Sequence, residues 1–356
     1  MELKILPLEQ QDQKAIPKQL GFGTSFSNRM FEQEYSAGTG WHEATIGPYR
    51  PLSLDPATAV LHYAQEIFDG TKAYRRPDGG VNLFRPWENV KRFNASATRM
   101  AMPTLDENDH LEAIVKLVEL ESDWVPHQEG AALYIRPFMF ASQVALGVGA
   151  STDYKHLVIL SPVGPYFKGG FAPVSVFISN DHRRAVKGGV GAAKTGGNYA
   201  ASLMVGEQAK AQGYAQVLWL DAIEGRFVEE VGAMNICFVY ADGRIVTPPL
   251  SGSILPGITR DSVITLGRAL GYDVSESAVE VNDTLADIES GNIVEVFGCG
   301  TAAVIAPVGR FGYKGQDYVI SDERVGPVTT RLYDELTGIQ YGRKEDRFGW
   351  TQTIAV

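Results

Sequence analysis

Lys194 stands in the run Lys187-Gly188-Gly189-Val190-Gly191-Ala192-Ala193-Lys194-Thr195-Gly196-Gly197-Asn198-Tyr199. Glycines at this density let a backbone pass close to a bound group. A long, flexible cation in that setting suits two chemistries. It can cradle a nucleotide phosphate, or its amine can form a Schiff base with a carbonyl cofactor. A third reading needs no chemistry, because most lysines are solvated surface residues. The phosphate reading must meet the pattern G-x-x-x-x-G-K-[ST]. Gly188 and Lys194-Thr195 match it, but position 193 is alanine. The segment 181–186 is also charged where a P-loop follows an apolar strand.

The elements that must position this lysine can be read from periodicity and punctuation. Residues 1–50 are polar and predict irregular chain. Apolar residues at 59, 60, 63, 64, 67 and 68 predict a helical turn or two ended by Gly70. A strand over 71–75, a turn over 76–80 and a strand over 81–84 follow. Pro86 opens a helix over 87–100 that carries Arg92, and a second helix covers 109–124. Residues 131–140 and 157–160 read as strands. The Pro- and Gly-rich stretch 161–173 predicts a linker. Beyond it come a strand over 174–178, the Lys194 loop, and a helix over 199–212. Strands at 216–220 and 237–240, a helix over 258–270 and a strand at 293–297 complete the set. The class is therefore α/β, or mixed α+β. The domains expected are a small one over 1–160, the linker 161–173, and a large one over 174–356.

At 356 residues, two domains are the natural expectation. Apolar residues make up 44% and charged ones 21%, which fits a soluble globular protein. The net charge of −10 argues against nucleic-acid partners and an anionic membrane surface. No run reaches the ~18 apolar residues of a membrane span, and the N-terminus lacks the apolar core of a signal peptide. Cys237 and Cys299 form no CxxC pair and read as two buried thiols in a reducing cytosol.

Downstream of the lysine lie Phe227-Val228-Glu229-Glu230-Val231-Gly232-Ala233-Met234-Asn235-Ile236-Cys237, then Ile245-Val246-Thr247, then Leu255-Pro256-Gly257-Ile258-Thr259-Arg260. This spaced set resembles the signature of the class IV pyridoxal-phosphate aminotransferases, with matches at Glu230, Gly232, Asn235, Thr247, Gly257 and Arg260. Cys237 departs from it, standing where an aromatic is usual. Leu61-His62-Tyr63, Phe68-Asp69-Gly70, Tyr134-Ile135-Arg136-Pro137, Gly196-Gly197-Asn198-Tyr199-Ala200 and Gly300-Thr301-Ala302 are similar to branched-chain amino-acid aminotransferases in particular. Residues 302–306 hold no cysteine, so thiol regulation of the CxxC kind is not expected.

The resemblance implies a fold type IV enzyme of the D-amino-acid-aminotransferase-like kind, with pyridoxal 5'-phosphate between two domains. Lys194 would form the Schiff base and act as general base and acid. Glu230 would pair with the ring nitrogen. On an extended strand Glu229 points to the opposite face and serves as a surface control. Arg92, Ile258, Thr259 and Thr301 would hold the phosphate, and Tyr199 the phenolic oxygen. The backbone of Thr301 and Ala302 would take the substrate carboxylate. Tyr63, Phe68, Tyr134, Tyr166 and Met234 would wall the side-chain pocket, and Arg136 would receive a γ-carboxylate. For any one of these aromatics, core packing is the competing reading.

The activity implied is ping-pong transamination, from leucine, isoleucine or valine to 2-oxoglutarate, in a cytoplasmic homodimer. Leu146-Gly147-Val148 would reach toward the partner's site. D-amino-acid transaminase and aminodeoxychorismate lyase are alternatives within the fold. A P-loop nucleotide-binding protein, or a pyridoxal-phosphate binder without catalysis, are alternatives outside it. No metal is implied.

Overall fold

The computed structural model of the chain describes residues 1–167 and 169–354. The chain divides into two compact units. The first comprises Met1–Tyr166, Ala193–Gly196 and Gly338–Val356, and the second comprises Phe167–Ala192 and Gly197–Thr337. Lys194 thus belongs to the first unit, although it lies in the second half of the sequence. One of the boundaries between the units, after Tyr166, falls within the stretch read as a linker. Ser161–Val163 of that stretch continue the strand Asp153–Val163, and Lys168 lies outside the described residues.

The first unit is built on a nine-stranded, mostly antiparallel sheet. Its centre is the pair Ala132–Ala141 and Asp153–Val163, in unbroken register from Ala132 opposite Val163 to Ala141 opposite Tyr154. Alternation turns Leu133 and Ile135 to one face, where they pack with Val158, Leu160 and the helix residues Ile114, Leu117 and Val118. Each such burial contributes roughly 1.5–3 kcal/mol. The other face carries Tyr134 and Arg136. Asp106 caps the helix Glu107–Leu120 by accepting from the N–H groups of Asn108 and Asp109 at 2.9 and 3.0 Å. The helix Pro86–Arg99 begins with proline at its first turn, after Arg85 in left-handed backbone at φ 48°.

Two expectations fail here. Residues 1–50 are not irregular: Arg29–Ser36 and Gly40–Pro48 pair as a hairpin in the sheet. Their Gln, Glu, Gly and Ser content hid strands that bury Met30 and Phe31 in two different clusters and, by alternation, Ala44 and Ile46. The helix expected over 59–68 stops after four residues, Val60–Tyr63, at left-handed Ala64, and Glu66–Phe68 is a strand. Pairing of Glu66–Phe68 with Phe138–Phe140 outweighs local helical periodicity.

The second unit holds another nine-stranded sheet, with Val174–Ile178 parallel to both Gln216–Leu220 and Val304–Tyr313. The helix expected over 199–212 is two pieces, Gly196–Ala200 and Leu203–Ala211. Cys237 and Cys299 are free and buried on neighbouring strands. Among the described residues, no helix is long and apolar enough to cross a membrane.

Candidate active site

In the first unit, the Lys194 segment is laced to one strand. The Phe68 N–H donates to the Lys194 carbonyl at 3.0 Å, and the Thr195 hydroxyl donates to the Glu66 carbonyl at 2.7 Å. The Gly196 N–H donates to the Glu66 carboxylate, and the Lys194 N–H to the Ser96 hydroxyl at 2.9 Å. The Lys194 Nζ lies 4.7 Å from the centre of the Phe68 ring, and the Arg136 guanidinium lies at the same distance from it. Burial lowers the Lys194 pKa to about 8, and the charge of Arg92 adds to the effect, while Asp69 and Tyr134 oppose it. The fold thus holds an amine far closer to neutrality than a surface lysine.

Arg92 does not stand on the surface. Its Nε and Nη2 donate to the two oxygens of Asp69 at 3.0 and 2.7 Å, and Asn89 adds a bond at 2.9 Å. Burial pushes the Asp69 carboxyl up, but Arg92, Lys194 and Asn89 together hold it below its ordinary value. Tyr134 is buried, and its hydroxyl accepts from Arg136 at 3.0 Å. The residue at position 70 must be glycine, because a Cβ there would overlap the Tyr134 hydroxyl. Tyr63 is exposed and donates to the Leu146 carbonyl, at the loop that also exposes Val144, Leu146 and Val148.

Phe22 escaped the sequence reading because it sits in the polar N-terminal stretch. Its ring meets Tyr134 edge-on at 5.3 Å and Tyr166 at 5.0 Å, which joins two expected pocket residues into one aromatic row. Glu66 and Asp69 were missed as well. Only pairing partners distant in sequence give them meaning.

In the second unit, Glu229 and Glu230 lie on the strand Val228–Val231, but its pairing with Gln216–Leu220 shifts register at Glu229, so the simple alternation expected of the two carboxylates is interrupted, and both bond to the turn over 253–255. Glu230 pairs with Arg184 at 2.6 Å and accepts from the Leu255 N–H at 3.2 Å and from Asn235 at 3.4 Å. Glu229 is not the surface residue expected. It is 6% exposed, accepts from the Ser253 hydroxyl, and leaves its second oxygen buried without a hydrogen-bond partner among the described residues. Burial raises its pKa. Asn235 also donates to the Leu255 carbonyl at 3.0 Å, which ties the Glu230 strand to the turn before the helix Ile258–Ala269. That helix has Gly257 at its N-cap and no side-chain cap, so its first N–H groups are suited to an outside anion. A Cβ on Gly257 would overlap the Asn235 side-chain oxygen.

Thr301 and Ala302 form the turn of the hairpin between Ile293–Gly300 and Val304–Tyr313, both partly exposed. Tyr199 is partly buried in the short helix Gly196–Ala200. Met234 differs from the expectation of a pocket wall in one respect: it is buried in the hydrophobic core of the second unit, against Gly298.

The first unit thus holds the Lys194 amine with a lowered pKa, and the second holds the Glu230–Arg184 pair bonded to the turn before a helix start without a side-chain cap. The profile of the class IV amino-transferase family matches residues 66–311. The chain belongs to the class IV aminotransferase family.

Its relatives narrow the position within that family. The chain is 50% identical over 343 residues to branched-chain-amino-acid transaminase 1 of Bacillus subtilis, covering 96% of each chain. The solved Escherichia coli branched-chain amino acid aminotransferase superposes with a TM-score of 0.76 at 28% identity, covering 91% of this chain and 99% of that one. The T.th. branched-chain amino acid aminotransferase, solved with pyridoxamine 5'-phosphate, gives 0.75 at 29% identity, covering 91% and 98%.

Proposed function

We propose that the protein transfers the amino group of L-leucine, L-isoleucine or L-valine to 2-oxoglutarate, using pyridoxal 5'-phosphate bound at Lys194. The observation that carries this reading is the Lys194 amine, anchored through its own segment and lowered to a pKa of about 8. When bound, the cofactor supplies an electron sink that lets the substrate's α-proton leave.

The chain's own residues do the rest. Lys194 is the group that takes a proton from the substrate α-carbon and returns one in the opposite half-reaction. Glu230 holds negative charge at a buried site and would keep a ring nitrogen protonated. Arg184 shares that charge and fixes its direction. The N–H groups of Ile258 and Thr259, with the Thr259 hydroxyl, Thr301 and Arg92, would hold the phosphate. Tyr199 would bond the phenolic oxygen. Thr301 and Ala302 would receive the substrate carboxylate. Phe68, Tyr134, Tyr166 and Tyr63 offer apolar faces to an aliphatic side chain, and Met234 would join them. Arg136 offers donors to a γ-carboxylate, and its Nε is buried without a hydrogen-bond partner among the described residues.

The same reading makes the enzyme a cytoplasmic homodimer. Supporting it, Leu146 and Val148 are 64% and 85% exposed on the loop expected to meet a partner. The decisive experiment is a panel of L- and D-amino acids with 2-oxoglutarate, following glutamate. Turnover with L-leucine, L-isoleucine and L-valine is expected. Turnover confined to D-donors would sink the substrate assignment and leave a D-amino-acid transaminase. Micromolar magnesium-ATP binding without pyridoxal phosphate would return the phosphate-loop reading of Lys194.

A further inference from the structure

A pocket that serves both half-reactions must accept an aliphatic side chain and, in turn, a γ-carboxylate. A bare guanidinium helps the second and penalises the first, because an unpaired cation beside an aliphatic group stays poorly solvated. Arg136 stands on the strand face that carries Tyr134, Phe138 and Phe140, and its guanidinium lies over the Phe68 ring. On the paired strand, Glu66 and Phe68 are two residues apart, opposite Phe140 and Phe138, so all share that face. Glu66 is therefore an acidic group on the same face as Arg136, two same-face positions along the sheet and within reach of its charge. It is also the group that accepts from the Gly196 N–H, two residues past Lys194, while its own carbonyl holds the Thr195 hydroxyl.

We propose that Glu66 is a positioning and specificity-determining residue, fixing the segment that carries Lys194 and setting a counter-charge against Arg136 so that one pocket takes both aliphatic and acidic substrates. Two observations support the double role. A Cβ at position 196 would overlap the Glu66 carboxylate, so the close contact between the two depends on glycine or on a shift of Glu66. Burial raises the Glu66 pKa, while the Gly196 N–H and the charge of Arg136 pull it down, so both partners act on the same carboxyl. The inference rests on the transaminase reading above, in which Arg136 receives the γ-carboxylate.

Two variants separate the roles. Glu66→Gln keeps an acceptor for Gly196 and removes the charge. Glu66→Ala removes both. For Glu66→Gln we expect the KM for 2-oxoglutarate to fall about threefold or more and the KM for leucine to rise by a similar factor. Its kcat should stay within about threefold of the parent. For Glu66→Ala we expect the same opposed KM shifts, with kcat lowered about tenfold. KM values that move together, or not at all, would overturn the counter-charge. Equal kcat in the two variants would overturn the anchoring role. Both variants are compared at equal folded fraction by thermal melting. A parent enzyme that does not transaminate leucine would instead sink the reading on which the inference rests.

Discussion

A lysine amine can attack a carbonyl only while it is neutral. With a pKa of about 8, Lys194 is neutral in about a tenth of molecules at pH 7 and about half at pH 8. Capture of pyridoxal 5'-phosphate by the cofactor-free enzyme should therefore accelerate from pH 6.5 to 8 and level off above about 9. Stopped-flow absorbance tests this, and a flat profile would mean that another group limits capture. Lys194→Ala should lose the bound cofactor's visible absorbance and at least ~10³-fold in turnover. The two glutamates make a second contrast. Glu230→Gln should lower kcat by about 10²-fold, because the proposed partner of the ring nitrogen loses its charge. Glu229→Gln should leave kcat within about twofold and raise the melting temperature. Its carboxyl is buried with one oxygen lacking a hydrogen-bond partner among the described residues, and at pH 7 its charge is a burden to the fold. Similar losses of kcat in both variants would show that the roles are not split between them.

At the scale of elements, the proposed phosphate site rests on a helix start without a side-chain cap. Gly257 supplies the N-cap and yields space to Asn235. Gly257→Ala should push Asn235 away from the Leu255 carbonyl and weaken cofactor retention about tenfold. Dialysis against buffer, followed by cofactor absorbance, checks this. Retention equal to the parent would place the phosphate elsewhere. The Asp69–Arg92 pair acts at the same scale, since it joins the turn after Glu66–Phe68 to the helix Pro86–Arg99. Removing one member of a buried ion pair strands the other, and Asp69→Ala should cost about 3–5 kcal/mol in urea unfolding.

At the scale of the whole molecule, the core of the first unit contains a feature sensitive to acid. His110 and His156 sit edge to face at 4.7 Å, walled by Phe93, Phe31 and Trp41, with all four ring nitrogens buried and, among the described residues, without a hydrogen-bond partner. Burial lowers the His110 pKa to about 4, with Asp69 opposing. Burial and the neighbouring His110 take His156 well below its ordinary value. The unfolded chain binds these protons near pH 6.5 and the folded one does not. Stability is therefore complete above about 6.5 and is lost as pH falls toward 4, on the order of 3 kcal/mol for His110 alone. Urea midpoints at pH 7 and 5 should differ accordingly, and His110→Phe should shrink the difference. An unchanged slope would show that the loss arises elsewhere.

The sequence by itself determined the family and named the residues proposed for its chemistry. Lys194, Glu230 and Gly257 each carry meaning in a short local pattern, because a glycine-framed lysine and a helix start are local objects. The central strands and the helices Pro86–Arg99 and Ile258–Ala269 were legible for the same reason, through alternation, proline and periodicity. Tertiary structure alone decided which partners those residues meet. It placed Lys194 with the first unit, turned part of an expected helix into the strand Glu66–Phe68, and buried Glu229. It also assembled Asp69 with Arg92 and Phe22 with Tyr134. These pairings join residues up to 130 positions apart, as in Glu66 with Gly196. Sheet register fixes them, and register is a property of the folded whole.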